Sequence, residues 1–117
     1  MPIDQKVDYL ELPAEDLNAV QTFYEAAFNW SFTDYGPEYK AFEDGVINGG
    51  FYLSDLKSTV EQGAALVILY ASDLEQTEQT VIESGGKIVR DIFEFPGGRR
   101  FHFSDPNGNE LAVWSDH

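Results

Sequence analysis

The sequence predicts an α+β fold of two tandem βαβββ modules, their mixed sheets curving around a cleft with the helices on the outer face. Three observations carry this prediction. First, Tyr9-Leu10-Glu11-Leu12-Pro13-Ala14-Glu15-Asp16-Leu17 and Leu66-Val67-Ile68-Leu69-Tyr70-Ala71-Ser72-Asp73-Leu74 share one plan: a β-prone run, a short break, then Asp-Leu opening a helical stretch. Second, the two Asp-Leu pairs, at 16 and 73, stand half of the 117-residue chain apart. Third, each helical stretch is followed by three further β-prone runs punctuated by turn residues. A four-stranded sheet with one helix covers only one of its faces, so two such units leave the other faces free to line a cleft.

In the first module the run from Tyr9 supplies the opening strand. Asp16 is placed as a helix N-cap, and Leu17, Val20, Phe23, Ala27 and Phe28 recur at three- and four-residue spacing, which gives an amphipathic helix ending near Asn29. Strands are expected over 30–34, 39–42 and 46–53, with turns at Gly36-Pro37 and Asp44-Gly45. In the second module a strand over 66–70 precedes Asp73, which caps a more polar helix with Leu74, Thr77, Val81 and Ile82 inward; Gly85-Gly86 stops it. Strands over 87–93, 99–104 and 110–114 follow, separated by Pro96-Gly97-Gly98 and by Asp105 to Gly108. The modules are expected to span about 5–55 and 63–116 of a single domain over 1–117, with 54–63 as connector.

Composition narrows the function. The 43% apolar fraction with 15% aromatics is too rich for disorder, and no apolar run approaches the roughly 20 residues that cross a bilayer. The start MPIDQKVDYL has no apolar signal core, so a cytoplasmic location is expected. With no cysteine, disulfides and thiol chemistry are excluded. Twenty-one acidic against 7 basic side chains give a net charge of −14, which repels phosphate backbones and anionic membranes and favours cationic ligands. Nucleic acid and membrane are therefore not expected as partners. Phosphate loops, Ser-His-Asp sets and zinc-type Cys clusters are absent.

The paired β-α-β-β-β pattern, with its opening YLELPAEDLNAVQTFYEAAFNW and closing GRRFHFSDPNGNELAVW, resembles the vicinal oxygen chelate superfamily of glyoxalases, bleomycin-resistance proteins and extradiol dioxygenases. The resemblance covers nearly the whole chain. It implies four metal-ligand positions, one on the first and one on the last strand of each half. Here they fall on Tyr9, Leu66, Ala112 and, by repeat symmetry with Ala112, Gly49. Leu, Ala and Gly offer no ligand atom, and one tyrosine does not hold a divalent ion against water, so neither a metal nor another cofactor is expected. A displaced divalent metal site is the alternative. Glu11 lies two residues from Tyr9 and Glu110 two from Ala112, hence on the same strand faces, and with His102 they make a possible facial triad.

His102 is placed by the turn beside it. Pro106-Asn107-Gly108 reads as a three-residue hairpin loop with Gly108 left-handed, which sets His102 opposite Ala112 and Arg100 opposite Trp114. Phe101 and Phe103 then share the helix-covered face with Leu111 and Val113, and His102 faces the cleft. There it is either a hydrogen-bonded wall residue or a group that exchanges a proton with a ligand. Parity adds Tyr9, Glu11, Ile47, Gly49, Phe51, Leu66, Ile68, Tyr70, Ala112 and Trp114 to the wall, an aromatic and apolar lining suited to an organic ligand. Gly49-Gly50 marks a bulge or the close approach of a ligand. Arg100 shares the face of His102 and either clamps a carboxylate or, as assigned to Arg99, relieves the acidic surface.

The expected function is binding of a small organic molecule, cationic or aromatic, without the usual metal, as in the bleomycin-resistance proteins. The alternative is a glyoxalase-type lyase or isomerase, or a dioxygenase-related enzyme, using a displaced metal or His102 with Glu110 or Glu11 as acid and base. The resemblance and the exposed strand edges also imply a homodimer in which one half of each chain completes the cleft of the other.

Overall fold

A computed structural model describes residues 2–117. Each half is a four-stranded mixed sheet with one helix. The first contains β1 (Tyr9–Ala14), α1 (Leu17–Phe28), β2 (Ser31–Asp34), β3 (Tyr39–Glu43) and β4 (Asn48–Leu53). The second contains β5 (Val67–Tyr70), α2 (Leu74–Glu83), β6 (Lys87–Phe95), β7 (Gly98–Ser104) and β8 (Glu110–Ser115). The strand orders are β1-β4-β3-β2 and β5-β8-β7-β6, the same arrangement twice, with the first-listed pair parallel and the others antiparallel. This is the α+β architecture of two tandem modules that the half-length repeat predicts.

The helices begin and end where their capping residues dictate. Asp16 accepts hydrogen bonds from the Asn18 and Ala19 amides, both at 3.1 Å, and Asn29 closes α1 with φ 60°, a left-handed conformation that asparagine tolerates. Asp73 accepts from the Gln76 amide at 3.0 Å, and Gly85 at φ 105° turns the chain out of α2. On α1, Leu17, Val20 and Phe23 are buried as the spacing predicts, and so is Tyr24. On α2 the inward set is Leu74 and Val81; Ile82, expected inward, is 48% exposed because a ten-residue helix presents only a narrow stripe to its sheet.

One apolar core joins the two halves. Trp30 is stacked between Tyr24 and Phe42, with centroids 4.4 and 4.5 Å away, while Phe103 of β7 meets Phe23 and Phe28 of α1 at 5.9 and 5.7 Å. Polar contacts fasten the same junction. The Asn107 side-chain amide donates to the Pro13 and Leu56 carbonyls and its oxygen accepts from the Glu15 amide. Asn109 donates to the Pro13 carbonyl at 2.8 Å and accepts from the Ser58 amide at 2.9 Å. The Asp-Pro-Asn-Gly-Asn turn is thus a bolt between modules, with Asp105, Asn107 and Asn109 all buried. Among the described residues, no helix is long and apolar enough to cross a membrane.

Candidate binding faces of the two sheets

The hairpin register predicted for the last two strands is the observed one: His102 pairs with Ala112 and Arg100 with Trp114, around Gly108 at φ 91°. Phe101, Phe103, Leu111 and Val113 are fully buried on the helix side. The opposite, open face of this sheet therefore carries His102, Arg100, Ala112, Trp114 and Glu110, joined by Ile68 and Tyr70 from β5 through the pairs Ile68–Ala112 and Tyr70–Trp114.

In the first sheet the faces of β1 are as expected, and those of β4 are reversed. Tyr9 and Glu11 lie on the open face, but Glu11 pairs with Gly50, and Leu10 with Gly49. Gly49 and Phe51 consequently belong to the helix side, where Phe51 packs against Tyr24, Phe32 and Phe42. The counterpart of Ala112 is Gly50 rather than Gly49. The reason is loop length: Gly45 is followed by two residues before β4, whereas Gly108 is followed by one before β8, and a one-residue slip turns every side chain to the other face. Ile47 precedes β4 altogether.

The glycine pair admits two of the protein's own aromatic rings and not a ligand. A methyl on Gly49 would collide with the Phe42 ring and the Leu10 carbonyl on one face; on Gly50 it would collide with the Tyr39 ring and hydroxyl on the other. Tyr39 is thereby held flat over Gly50, its hydroxyl donating to Glu11 Oε2 at 2.9 Å and lying 2.6 Å from the Tyr9 hydroxyl. Since the Tyr39 proton goes to Glu11, Tyr9 donates to Tyr39. Burial first, then these hydrogen bonds, pushes the Tyr39 phenol far above its usual range. A cavity of about 490 Å³ opens beside this cluster, lined by Tyr9, Tyr35, Tyr39, Ser31, Thr33, Glu43 and Asn48 among others.

On the second sheet His102 is only 4% exposed. Its Nδ1 lies 2.8 Å from Glu110 Oε2, and its Nε2 is buried without a partner. Phe93 of β6 covers it, ring centroids 5.9 Å apart, with the Arg90 guanidinium 3.6 Å from the Phe93 centroid. Strand β6 shifts register on both sides of Arg90, which breaks the alternation from which Arg90, Phe93 and Phe95 would otherwise have been read. Ile68, Phe95, Pro96, Gly97, Arg100 and Trp114 surround a cavity of about 440 Å³. Arg99, on the other face, is ion-paired with Glu75, as its assignment to surface charge balance requires.

The predicted site residues thus divide into two groups. Arg100, His102, Glu110, Ala112, Trp114 and Ile68 share the second sheet; Tyr9 and Glu11 share the first. Leu66 stands just before β5, half-buried in an apolar groove of about 750 Å³ between the modules, with Leu10, Trp30 and Phe42. The displaced triad is not assembled: Glu11 hydrogen-bonds within the first sheet, His102 and Glu110 within the second, and among the described residues no three His, Cys, Asp or Glu side chains cluster to hold a metal ion. With Gly50 in place of Gly49, the four strand positions at which a chelated ion is implied are Tyr9, Gly50, Leu66 and Ala112, a donor set that does not fit a divalent cation.

Residues 6–113 match the model of the Glyoxalase/Bleomycin resistance protein/Dioxygenase superfamily. Among solved structures, a glyoxalase-related enzyme from Fulvimarina pelagi superposes with TM-score 0.79 at 19% identity, covering 95% of this chain and 88% of that one. The fosfomycin resistance protein FosX from Listeria monocytogenes gives TM-score 0.80 at 14% identity, covering 97% and 94%. Lactoylglutathione lyase from Agrobacterium tumefaciens gives 0.73 at 18%, covering 97% and 95%. No curated protein matches the sequence significantly.

Proposed function

The chain belongs to the Glyoxalase/Bleomycin resistance protein/Dioxygenase superfamily, and from that premise we propose that it binds a small aromatic molecule on the open faces of its sheets without a metal at the strand positions. The observation that carries this reading is the lining. Tyr9, Gly50, Leu66 and Ala112 stand where metal donors are implied, while tyrosines, carboxylates and indole surround cavities large enough for a drug-sized molecule. On the first sheet Tyr9, Tyr35 and Tyr39 with Glu11 and Glu43 suit a cationic group, by ring faces and by charge. These two cavities on the open faces are each lined by residues of one module alone, which supports a homodimer that sets the first sheet of one chain against the second sheet of the other.

Metal analysis of the purified protein, followed by a thermal-shift screen of aromatic amines, acids and neutral compounds in the presence of EDTA, tests the reading. The expected result is a metal-free protein stabilised by a subset of these compounds; at a hundredfold excess over Kd the stabilisation is about 2.7 kcal/mol. One tightly held divalent ion per chain would overturn it.

A second reading, proton-transfer catalysis, is favoured by the His102–Glu110 pair. A carboxylate that accepts from Nδ1–H fixes the imidazole tautomer and leaves Nε2 free to take a proton. Turnover of lactoylglutathione or fosfomycin by the EDTA-treated protein, abolished in His102→Gln, would support catalysis over binding alone. No turnover in either protein would reject it.

A further inference from the structure

Two nitrogens on the second sheet are left without partners in a way the rest of the chain avoids. Among the described residues, the buried side-chain polar atoms lacking a hydrogen bond are Arg100 Nε and His102 Nε2. They belong to alternate residues of β7 on one open face, roughly 7 Å apart along the strand. Buried polar groups are normally satisfied, so two orphans on one face of one strand point to a ligand that supplies both partners.

Charge gives the ligand its sign. The chain carries 21 acidic side chains and 7 basic ones, a threefold excess of carboxylates available for pairing. Lys40 and Arg99 are ion-paired with Asp34 and Glu75. Arg90 and Arg100 are not paired among the described residues; both lie instead against the Phe93 ring, at 3.6 and 5.3 Å from its centroid. Two guanidiniums held against one aromatic ring, with no carboxylate brought to either, are available to an anion within an acidic protein. The neighbouring cavity is apolar apart from Arg100, being walled by Ile68, Phe95, Pro96 and Trp114. It suits a flat hydrocarbon body. With Nδ1–H donated to Glu110, Nε2 is the ring nitrogen left for a ligand, and a hydroxyl, which both donates and accepts, is the group that satisfies it.

We propose that the open face of β6, β7 and β8 binds a hydroxylated aromatic carboxylate, its carboxylate on Arg100, its ring against the aromatic side chains beside Arg100, and its hydroxyl on His102 Nε2. This rests on the reading that the open faces take small organic molecules, and it names the chemical class for one of them. The Phe93 ring swings off His102 to admit the hydroxyl. It stands at the edge of the second register shift of β6, where regular pairing to β7 resumes, with the irregular segment from Arg90 on one side of it.

Calorimetric titration and amide NMR of the full chain with para-hydroxybenzoate, benzoate and para-hydroxybenzamide test the proposal. The expected result is that para-hydroxybenzoate binds, shifts the signals of β6–β8, and binds at least tenfold more tightly than the amide. Benzoate, lacking the hydroxyl, is weaker. Arg100→Met lowers carboxylate affinity at least tenfold, Arg100→Lys gives an intermediate loss, and Arg99→Gln leaves affinity unchanged. Equal binding of acid and amide, or an affinity indifferent to Arg100→Met, overturns the proposal while leaving small-molecule binding intact; if no aromatic of any charge binds, the underlying reading fails with it. If Arg100→Met converts a dimer to a monomer and neither form binds the acid, the guanidiniums serve chain pairing and the proposal falls.

Discussion

The Tyr24 hydroxyl donates to Asp105 Oδ2 at 2.8 Å across 81 residues of sequence, inside the core that joins the two modules. Tyr24 is fully buried and Asp105 is 4% exposed, so the hydroxyl depends on this contact for satisfaction. Asp105 also accepts from the Asn107 and Asn109 amides and from the Asn109 side chain. The turn that bolts the modules together is therefore organised around one carboxylate.

Tyr24→Phe is expected to keep the ring in its stack with Trp30 and to lose only the hydroxyl. Removing a hydrogen bond to a charged group costs about 1.5–3 kcal/mol. Urea unfolding should show the midpoint falling by that much with the slope unchanged. No change in midpoint would mean that the remaining donors satisfy Asp105 without Tyr24.

The same carboxylate gives stability a dependence on pH. Burial pushes Asp105 above the ordinary carboxylate range, against its hydrogen bonds, and burial with the nearby Asp91 raises Glu78 as well. A raised acid binds its proton more tightly in the folded state. Its contribution is present below the unfolded value and is lost as pH rises through the folded value. Glu75, held down by Arg99, and Asp116, held down by Tyr70, act oppositely: their stability is lost as pH falls below the ordinary range. Melting temperature should therefore rise as pH is lowered from 7 toward the ordinary carboxylate range, and fall below it. Asp105→Asn should flatten the upper slope; an unchanged slope would assign it to the remaining acidic groups.

Phe103→Ala and His102→Phe separate the two faces of β7. Phe103 is fully buried against α1, and its truncation is expected to cost about 3–5 kcal/mol. His102→Phe keeps a flat ring under Phe93 but strands Glu110, whose other oxygen accepts from the Val60 amide at 3.2 Å, so the loss is smaller, about 1–2 kcal/mol. Chemical denaturation of both variants checks the ordering. The reverse ordering would put His102 in the core and Phe103 on the open face.

The module plan and the last hairpin were legible because local chemistry determines them. Asp16 and Asp73 cap helices through their own side chains, and Gly108 sets the β7–β8 register through a turn that tolerates few alternatives. The β3–β4 register was not, since Gly45 resembles Gly108 but its loop is a residue longer on the strand side. Tyr39 was within reach: its alternation with Ala41 puts it on the face of Glu11 once β4 is registered. Arg90 and Phe93 were out of reach, because two shifts in β6 erase the alternation by which a strand announces its faces. The partnership of Asp105 with Tyr24 depends on how the modules dock, which no local pattern encodes.

The last prediction concerns Gly50. A methyl there meets the Tyr39 ring, which must leave its place over the strand and release Glu11 and Tyr9. In the native protein Tyr39 stays protonated well above the usual phenol range, because burial and hydrogen bonds to Tyr9 and Glu11 hold its proton. An ultraviolet titration of Gly50→Ala should therefore show one more tyrosine ionising near pH 10 than the wild type does. Gly49→Ala should not, since its methyl meets Phe42 on the helix side; it is expected instead to lose stability, by about 1–3 kcal/mol for overpacking. If both variants leave the titration unchanged, Tyr39 does not rest on Gly50, and the first sheet's cavity is not shaped by that glycine. If Gly49→Ala alone frees a tyrosine, the faces of β4 are exchanged and the wall of the first sheet passes to Gly49 and Phe51.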